Sequence, residues 1–212
     1  MLNLFGSSQK FCDGLNRRSF LKIGAFGAGL TLETFERDWA GRKNAEILRQ
    51  LFPGIDESEV HRLSDEKEEL YRASYAPHLR PLAGVEEFLD DLARDGVALA
   101  VATAAPPENR TFVLDGLGLT SRFAHVIGAE HAPRGKPAPD IYLAAARALS
   151  LAPSLCLAFE DAKNGVLSAV AAGMTCVGVT TVLTEVELRE AGAAIALRDF
   201  VGARERLRSF WT

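Results

Sequence analysis

CLAFEDAKNGVLSAVAAGMTCVGV, residues 156–179, reads as strand, turn, helix, strand. CLAFED and TCVGVTT (175–181) are short, nearly continuous apolar runs. Such runs fit strands buried on both faces. AKNGVLSAVAAG between them has helical periodicity and stops at Gly173, where a helix C-terminus favours glycine. Two strands joined by a single helix pair in parallel, by a right-handed crossover.

The same unit recurs on either side. VALAVATAA (97–105), HVIGA (125–129) and AAIAL (193–197) read as further buried strands. GVEEFLDDLARDG, PENRTFVLDGLG, PAPDIYLAAARALS and TEVELREAG read as helices between them. This alternation predicts an α/β, Rossmann-like parallel sheet covered by helices on both faces, with ligands bound beyond the carboxyl ends of the strands. Upstream the pattern changes. LETFERDWAG, KNAEILRQLF and ESEVHRLSDEKEELYRASY are helical in period and contain no convincing strand, so a small all-helical lobe is expected. APHLRPLAG (76–84), with two prolines and a glycine, reads as its linker to the sheet. The expected organisation is an N-terminal segment at 1–30, a helical cap at 31–80 and an α/β core at 81–212. No internal repeat or low-complexity tract is present.

Bulk properties narrow the function. The chain has 212 residues, 48% hydrophobic and 25% charged, enough for a proper core and ordinary for a globular protein. A net charge of −4 argues against a general nucleic-acid binder. No apolar run approaches the roughly 20 residues of a bilayer span. Cys156 and Cys176 lie in apolar runs, as buried thiols do, and the four histidines show no metal-site spacing.

Three features fall at the carboxyl ends of the expected strands. Thr103 closes VALAVAT, where its hydroxyl and the amides that follow, at Ala104 first, can hold a phosphate oxygen. It is equally the kind of residue that simply ends a strand. Lys136 lies in RGKPAPD (134–140), stiffened by Pro137 and Pro139, and a fixed ammonium there neutralises a substrate phosphate. The alternative is a solvated surface lysine, with Asp140 capping or charging the helix start. Glu160 and Asp161 end CLAFED, where paired carboxylates suit a hard cation such as Mg²⁺. They equally suit the N-terminus of the helix that begins near Asn164 and Gly165.

In this order and spacing the features resemble the haloacid dehalogenase superfamily, in its β-phosphoglucomutase-like phosphatase branch with a small helical cap. Thr103 matches the second family motif, Lys136 in GKPAPD the third, and Glu160–Asp161 in FEDAKNG the fourth. PLAGVEEFLDDL, LGL and AAGM also look like this branch. WAGRKNAEIL resembles the cap loop, which implies that Arg42, Lys43 or Asn44 faces the substrate. The resemblance implies Mg²⁺ held by Glu160 and Asp161, catalytic roles for Lys136 and Thr103, and substrate contacts from Ala104 and Asn164. It implies phosphoryl transfer through an aspartyl phosphate on a small phosphorylated metabolite, with a sugar phosphate the expected class, by a monomeric protein.

The family's first motif, D-x-D-G, belongs upstream of the cap, yet no D-x-D occurs in the sequence. FCDG keeps Asp13 as candidate acid/base but puts Phe11 at the nucleophile position. NLFG offers Asn3 and Phe5, and GAFG offers Gly24 and Phe26. The same stretch contains NRRSFLK followed by a Gly/Ala-rich apolar run, Ile23–Leu32, and resembles a bacterial twin-arginine leader. Two expectations result for 1–30: a leader, or a substitute first strand over Phe20–Phe26. The leader implies export to the periplasm, whereas the family by itself implies a cytoplasmic enzyme. Two expectations result for function as well: a Mg²⁺-dependent phosphatase or phosphomutase, or a protein of the same fold that only binds phosphate or Mg²⁺.

Overall fold

The structure, a computed structural model, describes residues 42–210. The leader, the substitute strand and Asp13 lie outside the described residues. Two helices come first, α1 (Asn44–Leu51) and α2 (Glu57–Tyr75). Asp56 caps α2 by accepting from the Ser58 amide at 2.8 Å. Glu57 and Glu59 in its first turn and Arg72 in its last complement the helix dipole. A short 3₁₀ turn, Ala76–His78, then leads out of the lobe.

Thereafter strands and helices alternate as α3 (Val85–Arg94), β1 (Ala100–Ala102), α4 (Pro107–Gly116), β2 (His125–Ile127) and α5 (Asp140–Ala148). They continue as β3 (Leu157–Glu160), α6 (Lys163–Ala171), β4 (Thr175–Val179), α7 (Glu185–Glu190), β5 (Ile195–Leu197) and α8 (Ala203–Arg206). TEVE at the start of α7 forms a capping box, with Thr184 and Glu187 satisfying each other's backbone amides.

Every strand pairing among the described residues is parallel. β1 pairs β2 with Val101 opposite Val126, β3 pairs β4 with Phe159 opposite Val177, and β4 pairs β5 with Gly178 opposite Ala196. The five strands therefore form a two-stranded and a three-stranded piece. Shared packing joins the two pieces. Strand side chains alternate between faces, and here the two faces differ in size. Ala100, Ala102, Ala158, Cys176 and Ala196 point to one side, against Tyr142 and Ala145 of α5, Val166 and Ala169 of α6, and Leu188 of α7. Val101, Phe159, Val177, Val179 and Leu197 point to the other, against Phe88 and Leu89 of α3, Leu114 of α4, and Ala203 of α8. Small strand residues thus face α5 and α6 on one side, and larger ones face α3 and α4 on the other. Phe88, Phe159 and Phe200 meet there with ring centroids 5.5 to 5.7 Å apart.

The strands are shorter than the apolar runs that announced them. Val97, which opens the first run, is exposed, and at the run's other end the Thr103 hydroxyl accepts from the Ala105 amide at 3.1 Å, turning the chain out of the sheet. At the linker, Gly84 has φ +77, and a side chain on it would meet the Phe200–Val201 backbone at 2.4 to 2.7 Å. The Phe200 amide also donates to Ala83 O at 2.8 Å. Cys156 and Cys176 are free and buried, as their apolar surroundings predict. No helix among the described residues is long and apolar enough to cross a membrane.

Candidate active site

Parallel strands deliver their carboxyl ends to one edge of the sheet. β1 ends at Ala102 and hands over to Thr103 and Ala104, and β3 ends at Glu160, followed by Asp161. The loop before α5 brings Lys136 to the same edge. Lys136, Glu160 and Asp161 are only 3%, 1% and 4% exposed, so the reading of Lys136 as a solvated surface residue is excluded.

Charges this deep need partners, because desolvation otherwise outweighs their attraction. The Lys136 ammonium donates to Glu160 Oε1 in an ion pair, and its Nζ also lies 3.5 Å from Ala102 O, one residue before Thr103. The Tyr142 hydroxyl donates to the same Glu160 oxygen, and the Tyr142 ring lies 5.0 Å from Lys136 Nζ. Burial, and then the neighbouring Glu160 charge, push the Tyr142 phenol well above its ordinary range, so it stays protonated and remains a donor. Asp161 accepts a hydrogen bond from Thr181 Oγ1 at 2.8 Å. Gly165 makes room for this arrangement, since a side chain on it would meet the Glu160 carboxyl group at 2.1 to 2.4 Å.

The donor set fits Mg²⁺. Among the described residues no group of three or more His, Cys, Asp and Glu gathers as a closed metal cage. Glu160 and Asp161 are adjacent carboxylates, the first paired with the Lys136 ammonium and the second accepting from Thr181. Mg²⁺ is commonly held by one or two carboxylates, with water and substrate phosphate completing its shell. Asn164 sits half-buried in the first turn of α6, beyond Asp161. Thr103 and Ala104 are half-buried, and the Thr103 hydroxyl keeps its proton available for donation. Asp140 forms an ion pair with Arg134 at 2.8 Å at the start of α5.

The three cap candidates are engaged differently. Arg42, just before α1, reaches along that helix and donates to Gln50 Oε1 at 2.9 Å. Lys43 donates to Ala132 O at 2.7 Å, in the loop that carries Lys136. Asn44 donates to Glu68 Oε1 at 2.6 Å. Glu68 is the centre of a buried network between lobe and core: it also accepts from Lys67 and from Asn109 of α4, while Arg72 donates to Asn109 Oδ1 at 2.7 Å. Burial raises the Glu68 pKa, but the Lys67 charge and the Asn44 and Asn109 amides outweigh it and leave the carboxyl below its ordinary value.

Sequence patterning did not single out Tyr142, Thr181, Glu68 or Asn109, and it placed Gly165 only at the helix start. Tyr142 lies in DIYLAAA, where helical periodicity absorbs it as core; the only signal was that a buried tyrosine hydroxyl needs a partner. Glu68 is one of several acidic residues in EKEEL, and nothing in that run marks which one turns inward.

The model of the family "haloacid dehalogenase-like hydrolase" matches residues 9–173, a span that includes Asp13. Hexitol phosphatase A of Escherichia coli (strain K12) is 32% identical over 155 residues, 70% of this chain and 70% of that protein. Validoxylamine A 7'-phosphate phosphatase of Streptomyces hygroscopicus subsp. limoneus is 37% identical over 121 residues, 57% of this chain and 56% of that one. Over three of the curated relatives, the matched segment spans only 13% to 56% of the relative's own length. The crystal structure of β-phosphoglucomutase from Clostridium difficile shares the fold, with a TM-score of 0.75 at 24% identity, covering 87% of this chain and 83% of that one.

Proposed function

Since the chain belongs to the haloacid dehalogenase-like hydrolase family, we propose that it acts on a small phosphorylated metabolite of the sugar phosphate class, as a Mg²⁺-dependent phosphatase or phosphomutase. The observation that carries this reading is the buried Lys136–Glu160 pair beside Thr103 and Asp161, all at the carboxyl edge of a parallel sheet. The names of the hexitol and validoxylamine phosphate phosphatases support the substrate class.

Each residue has a role its surroundings support. Lys136 brings a fixed ammonium to the phosphoryl group, where preorganised charge stabilises the transition state without reorganisation. Tyr142 and Gly165 hold Glu160 so that it keeps Lys136 aimed. The Thr103 hydroxyl and the Ala104 amide donate to a phosphate oxygen. Glu160 and Asp161 would hold Mg²⁺, which when bound supplies positive charge against the transferring group. Asp13 lies outside the described residues, and its place in FCDG alone makes it the candidate acid/base for the leaving oxygen.

The sequence itself favours a second reading. Phe11 stands two residues before Asp13, and no aspartate in the chain has another two residues away. A protein of this fold without the acceptor carboxylate binds phosphate and Mg²⁺ but does not turn over. One assay separates the two readings: phosphate release from a panel of hexose, hexitol and pentitol phosphates, with Mg²⁺ and with chelator. The first reading expects Mg²⁺-dependent release that falls about 10²- to 10³-fold in Lys136→Ala. Release no greater than in Lys136→Ala overturns it and leaves the binding protein.

A further inference from the structure

We propose that the first turn of α1 is a clasp on the Lys136 loop, with Glu46 and Lys43 as positioning residues that set where Lys136 sits. The proposal rests on the reading of Lys136 as the phosphate-facing group.

The loop is held from two sides. On the core side Ser168 Oγ donates to Ala138 O at 2.6 Å, and the Ala138 amide closes a turn onto Gly135 O at 3.0 Å. These contacts stay within the α/β core. On the cap side the Gly135 amide donates to Glu46 Oε1 at 3.2 Å, and Lys43 Nζ donates to Ala132 O at 2.7 Å. Both contacts join segments 89 positions apart and hold the stretch leading into Lys136, one at Gly135 directly before it and one at Ala132. Both involve an ionised side chain, the stronger kind of hydrogen bond.

Gly135 shows that the approach is close. A side chain there would put a carbon 2.7 to 2.9 Å from the Glu46 carboxylate oxygens, so the clasp needs glycine at this position. Arg42 flanks the same carboxylate at 3.7 Å and steadies it. Asn44, in the same turn, reaches Asn109 of α4 through Glu68. One turn of helix thus touches the Lys136 loop and, through one side chain, the helix that follows Thr103. Docking of the cap and placement of Lys136 become a single equilibrium: when α1 leaves, the Gly135 amide and the Ala132 carbonyl lose these partners and the loop is held from the core alone.

The test uses the full chain and hydrogen exchange, with inorganic phosphate and Mg²⁺ as the binding probe. Glu46→Ala is expected to speed exchange across residues 134–138 about tenfold, the scale of losing one charge-assisted hydrogen bond. It is expected to weaken phosphate binding roughly fivefold, because the competent loop is less populated. Glu46→Gln, which keeps an acceptor, is expected to restore both, and Lys43→Met to reproduce part of the exchange effect. Unchanged exchange in Glu46→Ala, or a Gln variant as impaired as Ala, overturns the clasp. Phosphate bound as tightly by Lys136→Ala as by the unaltered chain instead overturns the reading of the site, while the exchange result stands on its own.

Discussion

Gly165 is required by space and not by backbone angle. It lies in the first turn of α6, and the Glu160 carboxyl group occupies the volume a methyl group would take, at 2.1 to 2.4 Å. Gly165→Ala should therefore displace Glu160, separate it from Lys136 and Tyr142, and cost about 1–3 kcal/mol by overpacking, read by urea unfolding. A loss in turnover larger than the loss in folded fraction would show that the Lys136–Glu160 geometry itself was disturbed. At this scale the sequence was partly legible. Lys136 was readable because prolines on both sides of Ala138 stiffen its loop, and Glu160–Asp161 because adjacent acids ending an apolar run are unusual. Tyr142 was not, since a buried phenol has the same periodicity as a buried leucine.

Among the elements, α2 has the most distinctive electrostatics. Its outer face carries exposed pairs such as Arg62 with Glu59 and Glu66, which contribute little. Its inner face carries Glu68, only 8% exposed and held by three donors. Because the folded state lowers the Glu68 pKa, folding binds fewer protons there than unfolding does. Its stabilising contribution is thus present above the unfolded carboxylate range and lost as pH falls through the folded value. Glu68→Gln is expected to cost about 1–3 kcal/mol at neutral pH and to flatten the decline in stability between about pH 5 and pH 3. Urea titrations across that window check it; equal slopes for the two proteins would remove Glu68 as a source of acid sensitivity. The helix itself was fully legible, 57–75 in sequence and Glu57–Tyr75 in structure. Its capping aspartate and its dipole-matched charges are local signals. The strands were legible as to position but overlong, because apolar runs continue beyond the last ladder bond into turn residues that are exposed or half-buried, such as Val97 and Ala104.

Over the whole molecule, the two faces of the sheet unite separate strand pieces. Val101 of β1 and Phe159 of β3 share one core, and Ala102 and Ala158 share the other. Phe159→Ala opens the aromatic cluster with Phe88 and Phe200 and should cost about 3–5 kcal/mol, with both strand pieces losing protection together in hydrogen exchange. Loss confined to β3–β5 would mean that the pieces fold as separate units. The α/β class and the helical lobe could be read directly, since both depend on period and order along the chain. The union of lobe and core could not. It depends on side chains such as Glu46 and Asn109, whose partners lie far away in sequence.

The junction at Gly84 constrains how such a molecule can move. Residues near the end of the chain, Phe200 and Val201, lie against the start of the core and leave no room for a side chain on Gly84. A pivot locked from behind cannot itself bend. Among the described residues, whatever give the linker has lies ahead of this junction, in the short irregular stretch 79–82, and the Phe200–Val201 segment serves as its anchor plate.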